Sequence, residues 1–262
     1  MRKCSLALAL ILIIGLLVPL AGCKVGDNSK YSVLERLETQ QLCVAFRQDD
    51  KAGDAVIAAL AELEAEGEVN SISRKWFGSE LSLLKGDEQA ISKLDFEIEQ
   101  RTFIMGYDAW HLPFSGEVDG VVAGFDVDLA KAVCSKLGWR IKFVAVDVSN
   151  AYVELNSGNV DCVWGGLPYD ESSTKIRQSP VYFKNTVIIA ALAGTGRSLS
   201  GKTLAIPEMG CFIAILDAHP DIKKKPEYIV KLPGGVDACF EALDNGVCDA
   251  IITDLAGIDY YR

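Results

Sequence analysis

Apolar positions recur at helical spacing along most of this chain. Val127, Ala130, Val133, Cys134 and Leu137 share one face of a predicted helix that starts beside Gly124-Phe125-Asp126 and stops at Gly138. Asp126 is placed to cap its start by accepting a backbone N–H. Strand-like residues 140–146 follow, so helix and strand form an α/β unit. Upstream, a short helix is expected over residues 31–37 and a strand over 42–46. A helix then runs from 53 to 66 on Val56, Leu60 and Leu63. Gly67 interrupts it, and Val69, Ile72 and Trp76 carry the pattern on to Phe77-Gly78. Residues 79–100 are charged, helical in propensity and without a core face, and read as a linker. A strand is predicted over 101–107 and a loop over 108–116. Beyond the Gly124 helix come a helix at 150–156, a strand at 160–165 and a long apolar strand within 181–193. A strand at 201–206, a helix opening at Gly210, a helix at 236–243, a strand at 248–253 and a helix starting near Asp254 complete the pattern.

One arrangement occurs twice. Leu155-Asn156-Ser157-Gly158-Asn159-Val160-Asp161-Cys162 is a helix end, a glycine and a strand start, and so is Leu243-Asp244-Asn245-Gly246-Val247-Cys248-Asp249-Ala250. Two similar α/β halves imply two lobes with a cleft between them. Ligands of open α/β sheets sit beyond the carboxyl ends of strands, which puts Trp164–Pro168 and Thr253-Asp254 on opposite walls of one site.

The first residues change the picture of where the chain works. Arg2 and Lys3 precede an apolar run over residues 6–20, and Leu20-Ala21-Gly22-Cys23 resembles a bacterial lipobox. On that reading residues 1–22 are a signal peptide, Cys23 is lipidated, and residues 23–30 tether an exported protein to the cell membrane. A signal anchor is the alternative, but the run is short for a membrane span and is broken by Gly15 and Pro19. With 26 basic and 36 acidic residues the net charge is −10, which argues against a nucleic-acid partner. Half the chain is hydrophobic, ample for a core. Besides Cys4 and Cys23 there are six cysteines, with no C-x-x-C pair and only two histidines, so no metal site or cofactor is expected. Export permits disulfides, but the spacing assigns no pair, and most of these cysteines read as small buried hydrophobes.

Over residues 101–262 the segments resemble the bacterial family 3 solute-binding proteins, the amino-acid-binding components of ABC importers. The resemblance rests on Asp108 with Pro113-Phe114, on Gly124-Phe125-Asp126-Val127-Asp128-Leu129-Ala130-Lys131-Ala132, and on Glu154-Leu155 with Gly158 and Val160-Asp161. It also rests on Gly201-Lys202-Thr203-Leu204-Ala205-Ile206 and on Asp249-Ala250-Ile251-Ile252-Thr253-Asp254. The strand near 42–47, the helix around Val56–Leu63 and Lys75-Trp76-Phe77-Gly78 look like the family's usual C-terminal ending, yet they come first. The resemblance therefore implies a two-lobed, type II periplasmic-binding-protein-like α/β fold, circularly permuted, with residues 79–100 joining the family's usual termini. One lobe would comprise 48–188 and the other 31–41 plus 193–262, with hinge strands at 42–47 and 187–192.

The resemblance also implies a site. Asp254 matches the aspartate that accepts the ligand's ammonium; as a bare sequence feature it reads equally as a helix cap. Asp108, Trp110 and His111 match an acidic and aromatic wall, with His111 equally readable as a surface loop residue. Trp164 reads as core. Gly165, Gly166 and Leu167 match the carboxylate-binding turn, and Gly210-Cys211 a second turn whose N–H groups open a helix. The family's carboxylate-clamping arginine is absent, Ser172 or Ser173 standing at its position, and Pro168 stands near the usual hydroxyl. The implied protein is a non-enzymatic, monomeric receptor with an altered clamp, which captures an amino acid or derivative for a membrane permease. The alternatives are a cyclohexadienyl dehydratase-like enzyme on the same fold and a ligand-sensing adaptor.

Overall fold

The computed structural model describes residues 29–261; the expected signal peptide, Cys23 and most of the expected tether lie outside the described residues. The chain opens with strand β1 (Tyr31–Leu42) and the short β2 (Ala45–Phe46), then helices α1 (Lys51–Ala65) and α2 (Glu68–Phe77). Next come β3 (Thr102–Tyr107), a meander of β4 (Trp110–His111), β5 (Ser115–Val118) and β6 (Val121–Ala123), helix α3 (Phe125–Leu137) and β7 (Arg140–Ala145). Helix α4 (Ala151–Asn156), β8 (Cys162–Val163) and β9 (Arg177–Gln178) lead to the long β10 (Phe183–Leu192). The remainder is β11 (Thr203–Pro207), α5 (Gly210–Ala218), α6 (Pro220–Lys223), β12 (Tyr228–Leu232), α7 (Gly235–Asp244), β13 (Ala250–Asp254) and α8 (Leu255–Tyr260).

Two five-stranded sheets share one plan. One has the order β7-β3-β8-β2-β9 and the other β12-β11-β13-β10-β1. In each the first three strands are parallel, the fourth runs against them and the fifth against the fourth. Each sheet has its own core. In the first lobe the face of α1 (Ala55, Val56, Ala59, Leu60, Leu63) packs with α2 and α3 around Phe103 and Met105. In the second, α5 and α7 pack around Ile188, Ile189, Leu204 and Ile251. The chain passes from one sheet to the other between β1 and β2, and returns between β9 and β10.

The repeated sequence arrangement is the same structural device in both lobes. Asp161 binds the strand before it at both ends of its backbone–side-chain unit: its N–H donates to the Ile104 carbonyl at 2.8 Å and its Oδ2 accepts from Ile104 N at 2.7 Å. Asp249 does the same to Thr203, at 3.0 and 2.9 Å. An aspartate before the third strand thus locks the edge of the first.

Four local expectations are corrected. Residues 31–37 are strand rather than helix. Bulges between Val33 and Glu35 and between Arg36 and Glu38 shift the register against β10, and each adds a residue to the two-residue repeat. The apolar spacing of Tyr31, Val33, Leu34 and Leu37 then imitates a helix. Residues 79–100 contain a single 3-10 turn, Ile91–Lys93, and do present apolar groups: Leu84, Ile91, Leu94, Phe96 and Ile98 lean on the first lobe's core. The loop after β3 carries the β4–β6 meander. Finally, Asp126 does not cap α3, whose N-cap is Gly124 without a side-chain bond; it is buried and bonded elsewhere. Five of the six cysteines in the described residues are buried, Cys211 is half-buried, and all six are free.

Candidate functional site

The ends of β3 and β13 bring the two lobes together. β4 follows β3 by a two-residue turn in which Asp108 Oδ1 accepts the Trp110 N–H at 2.9 Å. That turn aims His111 across the cleft, where its Nε2 lies 2.5 Å from Asp254 Oδ2 at the end of β13. The other carboxylate oxygen, Oδ1, accepts from Asn185 Nδ2 on β10, also at 2.5 Å. Both oxygens of Asp254 are therefore engaged from within the protein. The pair is dry: His111 is 4% exposed and Asp254 1%. The imidazole stands edge-on to Phe114 of its own lobe and Phe212 of the other, at centroid distances of 5.3 and 5.7 Å. Burial, the largest single influence, disfavours the charged ring. The carboxylates of Asp254, Asp108 and Asp126 together outweigh it and push the imidazole up to about 9. A charged His111 is an internal cation at the carboxylate that the resemblance assigned to a ligand's ammonium.

Asp126 organises the turn behind His111. Its Oδ2 accepts the Gly166 N–H and its Oδ1 the Tyr182 hydroxyl, both at 2.8 Å. Burial pushes this carboxyl up to about 7, against the pull of those two donors and of His111. Gly166 has φ of 72°, and a Cβ there would lie 2.6 Å from the His111 ring, so the turn can support the ring only as glycine. Gly165 is equally close to Asp108 N and Ser115 Oγ, at 2.8 Å from where a Cβ would stand. Leu167 packs into a small core with Cys43, Val148 and Val163, and its carbonyl accepts the Cys43 N–H at 2.9 Å. The Gly165–Leu167 turn is thus committed to packing and to Asp126.

Beside the His111–Asp254 pair, a cavity of about 340 Å³ opens between the lobes. The first lobe contributes Asp108, Trp110, Asp147 and Ser149, and the second Glu208 and Cys211. The volume falls at the lower end of the ~300–1,000 Å³ usual for small-molecule sites. Burial holds the Asp108 carboxyl above the usual range, with Asp147 adding to the effect and His111 opposing it. The lobes nearly touch at two rims. A Cβ on Gly210 would come 3.8 Å from Ser149 Oγ, and one on Gly235 would come 2.4 Å from the backbone oxygen of Trp110.

Of the residues the sequence singled out, the structure gathers Asp108, Trp110, Gly210 and Cys211 around this cavity, and pairs His111 with Asp254 next to it. Gly165, Gly166 and Leu167 lie behind His111. Four residues were missed. Asn185 is the one amide in the apolar run of β10, and that interruption was a legible signal. Asp147, Ser149 and Glu208 sit in turns just after strands β7 and β11, where strand ends meet the cleft.

Residues 103–231 match the bacterial extracellular solute-binding proteins, family 3. Over 174 residues the chain is 31% identical to the arginine-binding extracellular protein ArtP of Bacillus subtilis (strain 168), covering 63% of this chain and 66% of that protein. Over 161 residues it is 27% identical to the ABC transporter arginine-binding protein 1 of Escherichia coli (strain K12), covering 59% and 63%. The chain therefore spans slightly less than two thirds of either relative's length. An ABC uptake transporter substrate binding protein from Streptococcus pneumoniae, solved with bound histidine, aligns with a TM-score of 0.51 and 27% identity over 61% of this chain and 68% of its own. The mixed α/β architecture is thus of the two-lobed periplasmic-binding type.

Proposed function

We infer that the chain is a family 3 extracellular solute-binding protein, a two-lobed receptor that captures a small solute outside the cytoplasm and presents it to an ABC permease. Binding, not catalysis, is its role. The observation that carries this reading is the cavity between two lobes built on the same strand plan and joined by two chain crossings. Such a frame closes on a ligand by hinge rotation. Residues 187–192, expected as a hinge strand, lie inside β10 of the second sheet, so the first lobe ends before Phe183 rather than at 188; the hinge is read within 42–47 and on the run that leads from Gln178 into β10. Two relatives are named as arginine-binding and a third was solved with bound histidine, which makes an amino acid or a derivative the first solute class to try.

The chain is read as circularly permuted relative to that family. In support, β2, α1 and α2 complete the lobe built on β3 although they precede it, and the family match begins at Phe103, inside β3. Tyr31 and Tyr261 both rest on the Phe240 ring, at centroid distances of 5.0 and 4.1 Å. The positions that an unpermuted chain would join are thus adjacent. Cys23 is read as the lipid-bearing residue that holds the receptor at the membrane surface.

Calorimetric titration of the soluble chain from residue 24 against the common amino acids, amines and carboxylates tests the receptor reading. Saturable one-to-one binding is expected. Failure of every compound, with the protein folded by circular dichroism, would sink it. A chain re-permuted to run 101–261 and then 29–78 should fold and bind alike; an unfolded product would sink the permutation.

A further inference from the structure

The cavity carries an unbalanced charge. Asp108, Asp147 and Glu208 line it, and no Lys, Arg or His does. Asp147 is bonded only by neutral groups, Ser149 and the Asn150 amide. Glu208 has no side-chain partner among the described residues. Asp108 is 8% exposed, yet its Oδ2 accepts no hydrogen bond from the protein. Asp108 lines the cavity, so a ligand's donor can meet this free oxygen there. His111, the nearest cation, is already engaged by Asp254. Trp110 adds an indole face at the rim and is 56% exposed. Indole faces attract cations.

The same site offers little to an anion. The Gly166 N–H goes to Asp126. At the start of α5, Cys211 offers only a thiol, a weak donor. No guanidinium lines the cavity. An α-carboxylate entering it would meet three carboxylates and no cationic side chain.

We propose that the cavity takes a small organic cation, an aliphatic amine or guanidine, held by Asp108 and Trp110 with Asp147 and Glu208 behind, and that an α-carboxylate on the ligand weakens binding. The inference rests on the receptor reading but narrows it, since the family match alone points to amino acids.

Agmatine and arginine differ only by the carboxylate and serve as the probes, with putrescine and glutamate as further arms. In titrations of the soluble chain, agmatine should bind at least tenfold more tightly than arginine, and glutamate not at all. Asp108→Asn keeps an oxygen for the Trp110 N–H and should lower agmatine affinity between tenfold and a hundredfold with the melting temperature unchanged. Glu208→Gln, at an exposed position, should weaken it severalfold without any risk to folding. Arginine binding as tightly as agmatine, glutamate binding, or agmatine affinity unmoved in both variants would overturn the cation assignment while leaving a solute receptor. No binding by any arm, nor by neutral amino acids, would overturn the receptor reading itself.

Discussion

Replacing His111 by alanine removes a buried cation from a buried anion. Asp254 then keeps only the Asn185 amide on Oδ1, and Oδ2, previously 2.5 Å from the imidazole, has no partner. Breaking a buried pair by deleting one member costs roughly 3–5 kcal/mol, because the remaining charge is uncompensated. Here the protein has an escape that a rigid core lacks. His111 belongs to one lobe and Asp254 to the other, so parting the lobes lets water reach the carboxylate. The penalty therefore falls mainly on the closed form, and at 1.4 kcal/mol per decade it shifts closure by about a hundredfold to a few thousandfold. Small-angle scattering of ligand-free protein should show a larger radius of gyration for His111→Ala. Amide exchange should accelerate at 110–111 and 253–254 without a matching fall in global stability. Adding Asp254→Asn removes the stranded charge and should restore much of the compactness. The pair also sets a pH dependence. The closed form raises the imidazole from its ordinary 6.5 to about 9, so it binds the proton more tightly than the open or unfolded chain does. The contribution is complete below pH 6.5 and fades as pH rises through about 9; a shift of that size amounts to roughly 3 kcal/mol. A single-variant radius and exchange pattern identical to wild type at neutral pH would refute the reasoning.

Other substitutions probe the supports of the site. Asp126→Ala strands the Gly166 N–H and the Tyr182 hydroxyl, each worth ~1–3 kcal/mol when buried unbonded, so urea unfolding should show a loss of about 2–5 kcal/mol. Because burial raises Asp126 to about 7 from 3.8, its ionisation lowers stability as pH climbs from 4 to 7; Asp126→Asn should flatten that slope in a stability–pH series. Gly235→Ala puts a Cβ against the Trp110 backbone at φ of 71°; the strained φ should cost about 1 kcal/mol of stability, and ligand affinity should fall more than tenfold, because the clash with Trp110 exists only between lobes. Asp161→Ala releases Arg47 and Arg101 as well as Ile104 N, whereas Asp249→Ala releases chiefly Thr203 N. Chemical denaturation should register about 3 kcal/mol for the first and about 1 kcal/mol for the second.

Strongly periodic segments were legible in the sequence because one period fits one partner. α1, α2, α3 and α7 each bury a single face, and β10 is apolar from Val187 to Leu192 because it is flanked on both sides. The aspartate-locked strands Asp161 and Asp249 were visible as an internal echo. β1 was not, because two bulges spread its apolar positions at helical spacing. The 79–100 segment was misread because its apolar residues contact the core singly and follow no period. At the site, the family's aspartate position led to Asp254, but nothing local in the sequence reveals that a histidine 143 positions away occupies it. Asp126 looked like a cap because local pattern cannot report that Gly166 and Tyr182 arrive at its carboxylate from distant segments.

Amide hydrogen exchange with and without a saturating solute, agmatine or arginine according to which binds, tests the interlobe receptor most directly. Protection is expected together at 108–111 and 145–149 of the first lobe and at 208–211 of the second, which line one cavity from its two sides. Protection confined to one lobe, or centred on the separate cavity between 50–55 and 96–102, would contradict a solute site between the lobes.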